Sequence, residues 1–195
     1  MKNKKWYEAK REAVELENAI GTEEIDVVRE FYLFHPDKNA GSNKLAGTFI
    51  YGTLSDAMEE GTVEIPTFLQ KEAIKSGLVL YSYLNKTAYV LSRTAVTDLF
   101  EYMGVSGRMI KLPFIERDLY LSSFMYYYKG FYKDPLNAVC RTVTDKVKYV
   151  IAFRGKRFQI NPSFEVMNAV ETVISQTPFR VVDYDMKTAV HMELG

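Results

Sequence analysis

The chain has 195 residues, 47% of them apolar and 26% charged, with a formal net charge of zero. That composition excludes a disordered or fibrous chain and leaves room for one large domain or two small ones. A single cysteine, Cys140, excludes an internal disulfide, and nowhere do the roughly 18 apolar residues of a membrane helix run together. The opening MKNKKWYEAKREAVELEN carries no apolar secretion segment, so the expected compartment is the cytoplasm.

In chain order, WYEAKREAVELENAI (6–20) reads as a charged amphipathic helix with Ala13, Leu16 and Ile20 on one stripe. Thr22 is placed to cap a second helix carrying Ile25, Val28, Phe31 and Tyr32, which must end near Phe34 because Pro36 follows. NAGSNKLAG reads as loop. A short helix runs from Thr67 to Lys75 and closes at Gly77. LVLYSYL and TAYVL alternate as a hairpin around Asn85-Lys86, and Ser92 opens the helix SRTAVTDLFEYMG. Another helix covers about 115–128. AVCRTVT and VKYVIAF form a hairpin around Asp145-Lys146, followed by a strand RGKRFQI. Asn161 and Pro162 open a helix with Phe164, Met167, Val170 and Ile174 inward, and RVVDYDM with TAVHMEL closes the chain as a hairpin. The expected fold is α+β, with a helix-rich N-terminal half and a β-rich C-terminal third, either divided into a helical segment 1–61 and an α+β domain 62–195 or forming one continuous domain.

Charge is unevenly placed. Residues 101–160 carry 11 Lys and Arg against 5 Asp and Glu, whereas the acidic side chains dominate before and after. Within the basic stretch, YLSSFMYYYKGFYKD (120–134) interleaves aromatic rings with Lys129 and Lys133; Lys146, Lys148, Arg154, Lys156 and Arg157 follow. Rings that stack on unpaired bases beside cations that track phosphates make a single-stranded nucleic-acid surface. Tyr120, Phe124 and Tyr127-Tyr128 share one helix face and suit a core stripe, which leaves Tyr126 and Tyr132 as the exposed rings. Enzyme signatures are missing: His35, His191 and Cys140 have no metal-ligand spacing, and there is no nucleophile elbow or glycine-rich phosphate loop. The expectation is a protein without catalysis and without a cofactor.

Two resemblances follow from particular residues. Phe34-His35-Pro36-Asp37-Lys38-Asn39 resembles the loop with which J-domain cochaperones stimulate heat-shock chaperone ATPases. The preceding stretch, however, carries Glu23, Glu24, Asp26 and Glu30 against only Arg29, where that family needs a basic helix. From Leu91 to Leu194, the order LSRTAVTDLFEYMGV, Leu112-Pro113, LYLSSFMYYY, YVIAFRGKRFQINPS, FEVMNAVETVISQ, FRVVDYDMKTAVHMEL resembles the phage/plasmid-like protein family known as domain of unknown function 932. The run from Ala152 to Arg157 departs from that family's pattern. The resemblance implies a phage or mobile-element origin in a bacterial host and supplies no catalytic residues.

Three functions stay open at this point. One is binding of single-stranded nucleic acid through Tyr126, Lys129, Tyr132, Lys133, Lys146, Lys148, Arg154, Lys156 and Arg157. Another is inhibition of a host nucleoprotein complex, as anti-CRISPR-like anti-defence proteins do, through an acidic, nucleic-acid-mimicking face built on Glu23, Glu24, Asp26, Glu30, His35 and Asp37. The third is a J-domain-like cochaperone acting through His35-Pro36-Asp37.

Overall fold

The computed structural model describes residues 8, 11, 20–51, 58–106, 108–155, 163–185 and 189–194. The chain divides into two compact units, Thr22–Phe158 and the pairing of Met1–Gly21 with Gln159–Gly195.

The larger unit is built on an eight-stranded sheet with strand order β1-β7-β8-β6-β5-β2-β3-β4. Its strands are β1 (Ile20–Ile25), β2 (Phe31–Pro36), β3 (Lys44–Ile50), β4 (Met58–Glu64), β5 (Val79–Ser82), β6 (Thr87–Leu91), β7 (Leu136–Thr144) and β8 (Val147–Arg154). Pairing is antiparallel from β6 through β5, β2 and β3 to β4, and again between β7 and β8, while β6 and β8 run parallel. All five residues of β6 are buried, as a central strand covered on both faces requires.

Helices cover the two faces unequally. A single turn, α1 (Val27–Glu30), is capped by the Asp26 carboxylate; α2 (Thr67–Ser76) ends at Gly77 with φ of 70°, the left-handed geometry that glycine holds without strain. Helix α3 (Arg93–Tyr102) starts at Ser92, whose hydroxyl accepts from the Ala95 amide at 3.0 Å, and α4 spans Phe114–Tyr128. Leu99, Phe100, Leu121 and Met125 from α3 and α4 pack with Phe31, Leu33, Leu80, Tyr89 and Val150 on one face. On the other, Leu69 and Ala73 of α2 pack with Phe34, Val79, Ala88, Val90 and Val147. Buried Gln70 fastens the 39–43 loop to this second core, accepting from the Gly41 amide and donating to the Ser42 and Ile65 carbonyls.

In the other unit, α5 (Ser163–Ile174) buries Met167 and exposes Val166 and Val173, and β9 (Phe179–Asp185) pairs antiparallel with β10 (Ala189–Leu194). Of the expected helix 6–20, Glu8 and Arg11 are helical, Ile20 instead opens β1, and the rest lies outside the described residues; of the expected strand RGKRFQI, Arg154 ends β8 and Gly155 is not in a strand, while residues 156–160 and the caps Asn161 and Pro162 lie outside the described residues.

Mixed α+β content is present, but the helix-rich N-terminal half is not. Residues 20–64 contribute four strands and one helical turn. The helix expected over 22–34 gives way to β1, α1 and β2 because Phe31 and Leu33 are buried in one core and the adjacent Phe34 in the other, which a strand between two layers permits. NAGSNKLAG is loop only as far as Asn43, and the boundary expected at residues 61/62 falls inside β4. His35-Pro36 therefore sits on a paired strand, not in the loop between two helices that a J-domain needs.

Candidate functional site

Helix α4 is apolar on nearly every side, and the sheet takes one stripe of it: Arg117, Asp118, Leu121, Ser122 and Met125 are buried. Of the stripe expected in the core, only Tyr128 packs against it, and Tyr120, Phe124 and Tyr127 point outward. Tyr120 and Phe124 are exposed, and beyond them Tyr126, Tyr127, Phe131 and Tyr132 are 57%, 61%, 57% and 73% exposed. Tyr127 stacks on Phe131 at 5.2 Å and meets Tyr128 edge-on at 5.3 Å. Ser123, Phe124, Tyr127 and Tyr128 line an open apolar groove of about 300 Å³. Lys129 is exposed beside these rings, while the Lys133 ammonium lies 4.3 Å from the centre of Tyr128 and 4.6 Å from that of Tyr102. The Arg29 guanidinium reaches the Phe131 carbonyl at 3.4 Å, so a third cation borders the cluster.

Lys146, Lys148 and Arg154 are placed or engaged elsewhere. Lys148 is ion-paired with Glu23, which also accepts a hydrogen bond from the Tyr89 hydroxyl at 2.9 Å. Burial, and then this acceptor, push the Tyr89 hydroxyl up from its ordinary value. Cys140 points at the same carboxylate, and burial followed by the Glu23 charge raises its thiol, the opposite of what a nucleophile needs. Arg154 is bound at 2.8 Å to Asp98, whose Oδ2 also accepts the Phe153 amide at 2.9 Å. Lys146 lies in a separate cleft on the face of the sheet that carries α2. Lys156 and Arg157 are outside the described residues. The acidic set is likewise dispersed: Glu23 faces Lys148, Asp26 pairs with Arg29 at 3.0 Å, Glu24 and Asp37 are exposed, and Glu30 is half-buried.

Sequence reasoning missed the buried polar knot around His35. Its Nδ1 lies 2.8 Å from Asp118 Oδ2 and 3.1 Å from the Gly77 carbonyl; with two acceptors in front of it, this nitrogen carries the hydrogen. Arg117 binds Asp118 Oδ1 through Nε at 2.8 Å, and donates to the Ser76 and Gly77 carbonyls at 3.3 and 3.0 Å. Its guanidinium lies 4.8 Å from the Phe114 ring centre and 5.6 Å from that of Phe100. Burial pushes the Asp118 carboxyl up, and the contacts from His35 and Arg117 pull it back. The signal in the sequence was an adjacent Arg-Asp pair in an otherwise apolar helix. Chemically the knot fastens α4 to β2 and to the end of α2; among the described residues no hydroxyl or thiol hydrogen-bonds to His35, and no group of three or more His, Cys, Asp or Glu is placed to hold a metal. No described helix is long and apolar enough to cross a membrane.

No protein-family model matches the chain, and no curated protein or solved structure proves similar to it.

Proposed function

We propose that the protein is a non-enzymatic binding protein that takes single-stranded nucleic acid on the end of α4 and the residues after it. The supporting observation is the exposure of Tyr126, Tyr127, Phe131 and Tyr132 within seven residues, with Lys129 and Lys133 among them and Arg29 beside them. Large rings left mostly exposed at the end of a packed helix and just beyond it bury little apolar area in folding, and a series of such faces accepts bases of any identity. This surface is smaller than the one expected from sequence, because Lys148 and Arg154 are engaged by carboxylates and Lys146 lies across the sheet. A phage or mobile element, the context implied by the resemblance of residues 91–194, is a natural setting for such a protein.

Fluorescence anisotropy with a labelled single-stranded oligonucleotide is the test. Lys129 and Lys133, the two cations of the cluster that no carboxylate among the described residues engages in an ion pair, imply a slope of log affinity against log salt of roughly −1.4. Tyr127→Ala/Phe131→Ala should lose most of the affinity, since each stacked base contributes about 1–3 kcal/mol, without lowering the unfolding midpoint. Absence of binding at low salt rejects the reading. The groove lined by Phe124, Tyr127 and Tyr128 favours a second reading, a protein-interaction module of the anti-defence kind acting through an apolar contact. Partner capture that ignores salt and is abolished by Phe124→Asp would support that alternative. Glu23 and Asp26 already face cations, which leaves Glu24 and Asp37 as the exposed acids for any nucleic-acid-mimicking face.

A further inference from the structure

The turns that precede β6 and β8 meet at one end of the sheet because those two strands are parallel neighbours. Ala88 pairs with Val147, and the Ala88 amide donates to the Lys146 carbonyl at 2.9 Å, so Lys86 and Lys146 come together. The β3–β4 hairpin contributes Lys44, opposite Glu64 in the ladder. These four residues, with Tyr81 and Thr62, line a partly enclosed cleft of about 230 Å³.

Three features set this cleft apart from ordinary surface charge. Its three lysines come from three separate segments, and Glu64 is the one carboxylate among its lining residues. None of the three lysines forms an ion pair among the described residues, whereas Lys148 on the same hairpin as Lys146 does. Lys86 also closes the turn between β5 and β6 with φ of 56°, the left-handed region where glycine or asparagine is favoured, so its position carries strain that a glycine would relieve.

We propose that this cleft binds a phosphate-bearing anion with two or more negative charges, held by Lys44, Lys86 and Lys146 with Tyr81 as its wall. Ammonium groups act as point-charge donors to phosphate oxygens without demanding the planar geometry that guanidinium imposes on carboxylates. An excess of two positive charges matches a phosphomonoester or a pyrophosphate. The volume of about 230 Å³ suits one or two phosphoryl groups and lies below the range of about 300–1,000 Å³ that encloses drug-sized ligands. The cleft opens beside the α2-side core, away from the rings of α4, so this site is independent of the function proposed above.

Calorimetric titration of the full chain with inorganic pyrophosphate tests it. One-to-one binding is expected, weakened about tenfold by Lys146→Gln and by Lys86→Gly, and lost in Lys44→Gln/Lys86→Gly/Lys146→Gln. Lys86→Gly should weaken binding while raising the unfolding midpoint, which no general loss of structure can mimic. Tyr127→Ala/Phe131→Ala should leave the titration unchanged. Competition by a single-stranded oligonucleotide would identify a backbone phosphate as the source; its absence would identify a small phosphoanion. No heat at millimolar pyrophosphate, equal affinity for citrate, or full binding by the triple variant would overturn the proposal.

Discussion

Arg117→Met is the sharpest probe of the knot beneath α4. The guanidinium is 2% exposed and supplies the hydrogen bonds to Ser76, Gly77 and Asp118. Methionine keeps the apolar stem against Phe100 and Phe114 but strands Asp118, at 0% exposure, with His35 as its remaining polar partner. Gly77 retains the His35 hydrogen bond, so the loss falls at the low end of the about 3–5 kcal/mol seen on breaking a buried pair, near 3 kcal/mol. Against a total stability of about 5–15 kcal/mol this is plain in a urea melt. The pH dependence is the stronger part. Without Arg117 one contribution that lowers the Asp118 pKa is gone, so that value rises further above the ordinary carboxylate range. A carboxyl with a raised folded pKa contributes stability that is fully present below the unfolded value and lost as pH rises through the folded one. The deficit of Arg117→Met should therefore be larger at about pH 7 than at about pH 4. Arg117→Met/Asp118→Leu, which removes both charges, should recover part of it. A loss below about 1 kcal/mol, or one equal at both pH values, would falsify the assignment of the knot as a buried charge pair.

Gly47→Ala should cost about 1–3 kcal/mol or more, because a Cβ there falls 2.3 Å from the His35 carbonyl oxygen and 2.5 Å from the fully buried Phe34 ring; an unchanged melt would contradict the packing of β2 on β3. Burial, then the hydrogen bond to Glu59, hold the Tyr51 hydroxyl up to about 12, so its stabilising effect is complete below the ordinary tyrosine value and lost as pH rises through about 12. In Glu59→Gln the tyrosinate absorbance titration should begin at lower pH, and an identical curve would remove Glu59 from the account. Lys86→Gly should stabilise by about 1 kcal/mol, read as a higher urea midpoint at constant slope.

Where local chemistry decides the structure, the sequence is easily read. Ser92 and the run Val96, Leu99, Phe100 define α3; Gly77 ends α2; and the paired apolar runs around Asn85-Lys86 fold back as β5 and β6. The N-terminal third is harder because Ile25, Val28, Phe31 and Tyr32 fit a helical period while the full run also fits a strand covered on both faces. Burial by residues far along the chain decides between them. Helix α4 shows the converse. Its extent is legible but its orientation is not, because FIERDLYLSSFMYYY offers apolar residues all round and the face the sheet takes includes Arg117, Asp118 and Ser122. The pairing of Lys148 and Arg154 was hidden for a related reason: their partners Glu23 and Asp98 lie 125 and 56 residues away.

The misleading His35-Pro36-Asp37 tripeptide has a structural use that bears on the aromatic surface. Pro36 closes β2 opposite Gly47, Asp37 turns away with its amide on the Ala46 carbonyl at 2.9 Å, and His35 reaches Asp118 on α4. With Arg117 gripping the end of α2, the first half of α4 is held by polar contacts that cannot slide along an apolar sheet as a purely greasy stripe could. A helix so pinned can afford to leave its second half out of the core. Had α4 rotated to bury Tyr120, Phe124 and Tyr127, Arg117 and Asp118 would have faced solvent at no desolvation cost; the observed orientation buries the charges and exposes the rings. Stability alone does not favour that exchange. If the rings bind as proposed, Tyr126 and Tyr127, placed by a packed helix, would do so without the ordering entropy of a flexible loop, and that pre-organisation would be the return on the orientation of α4.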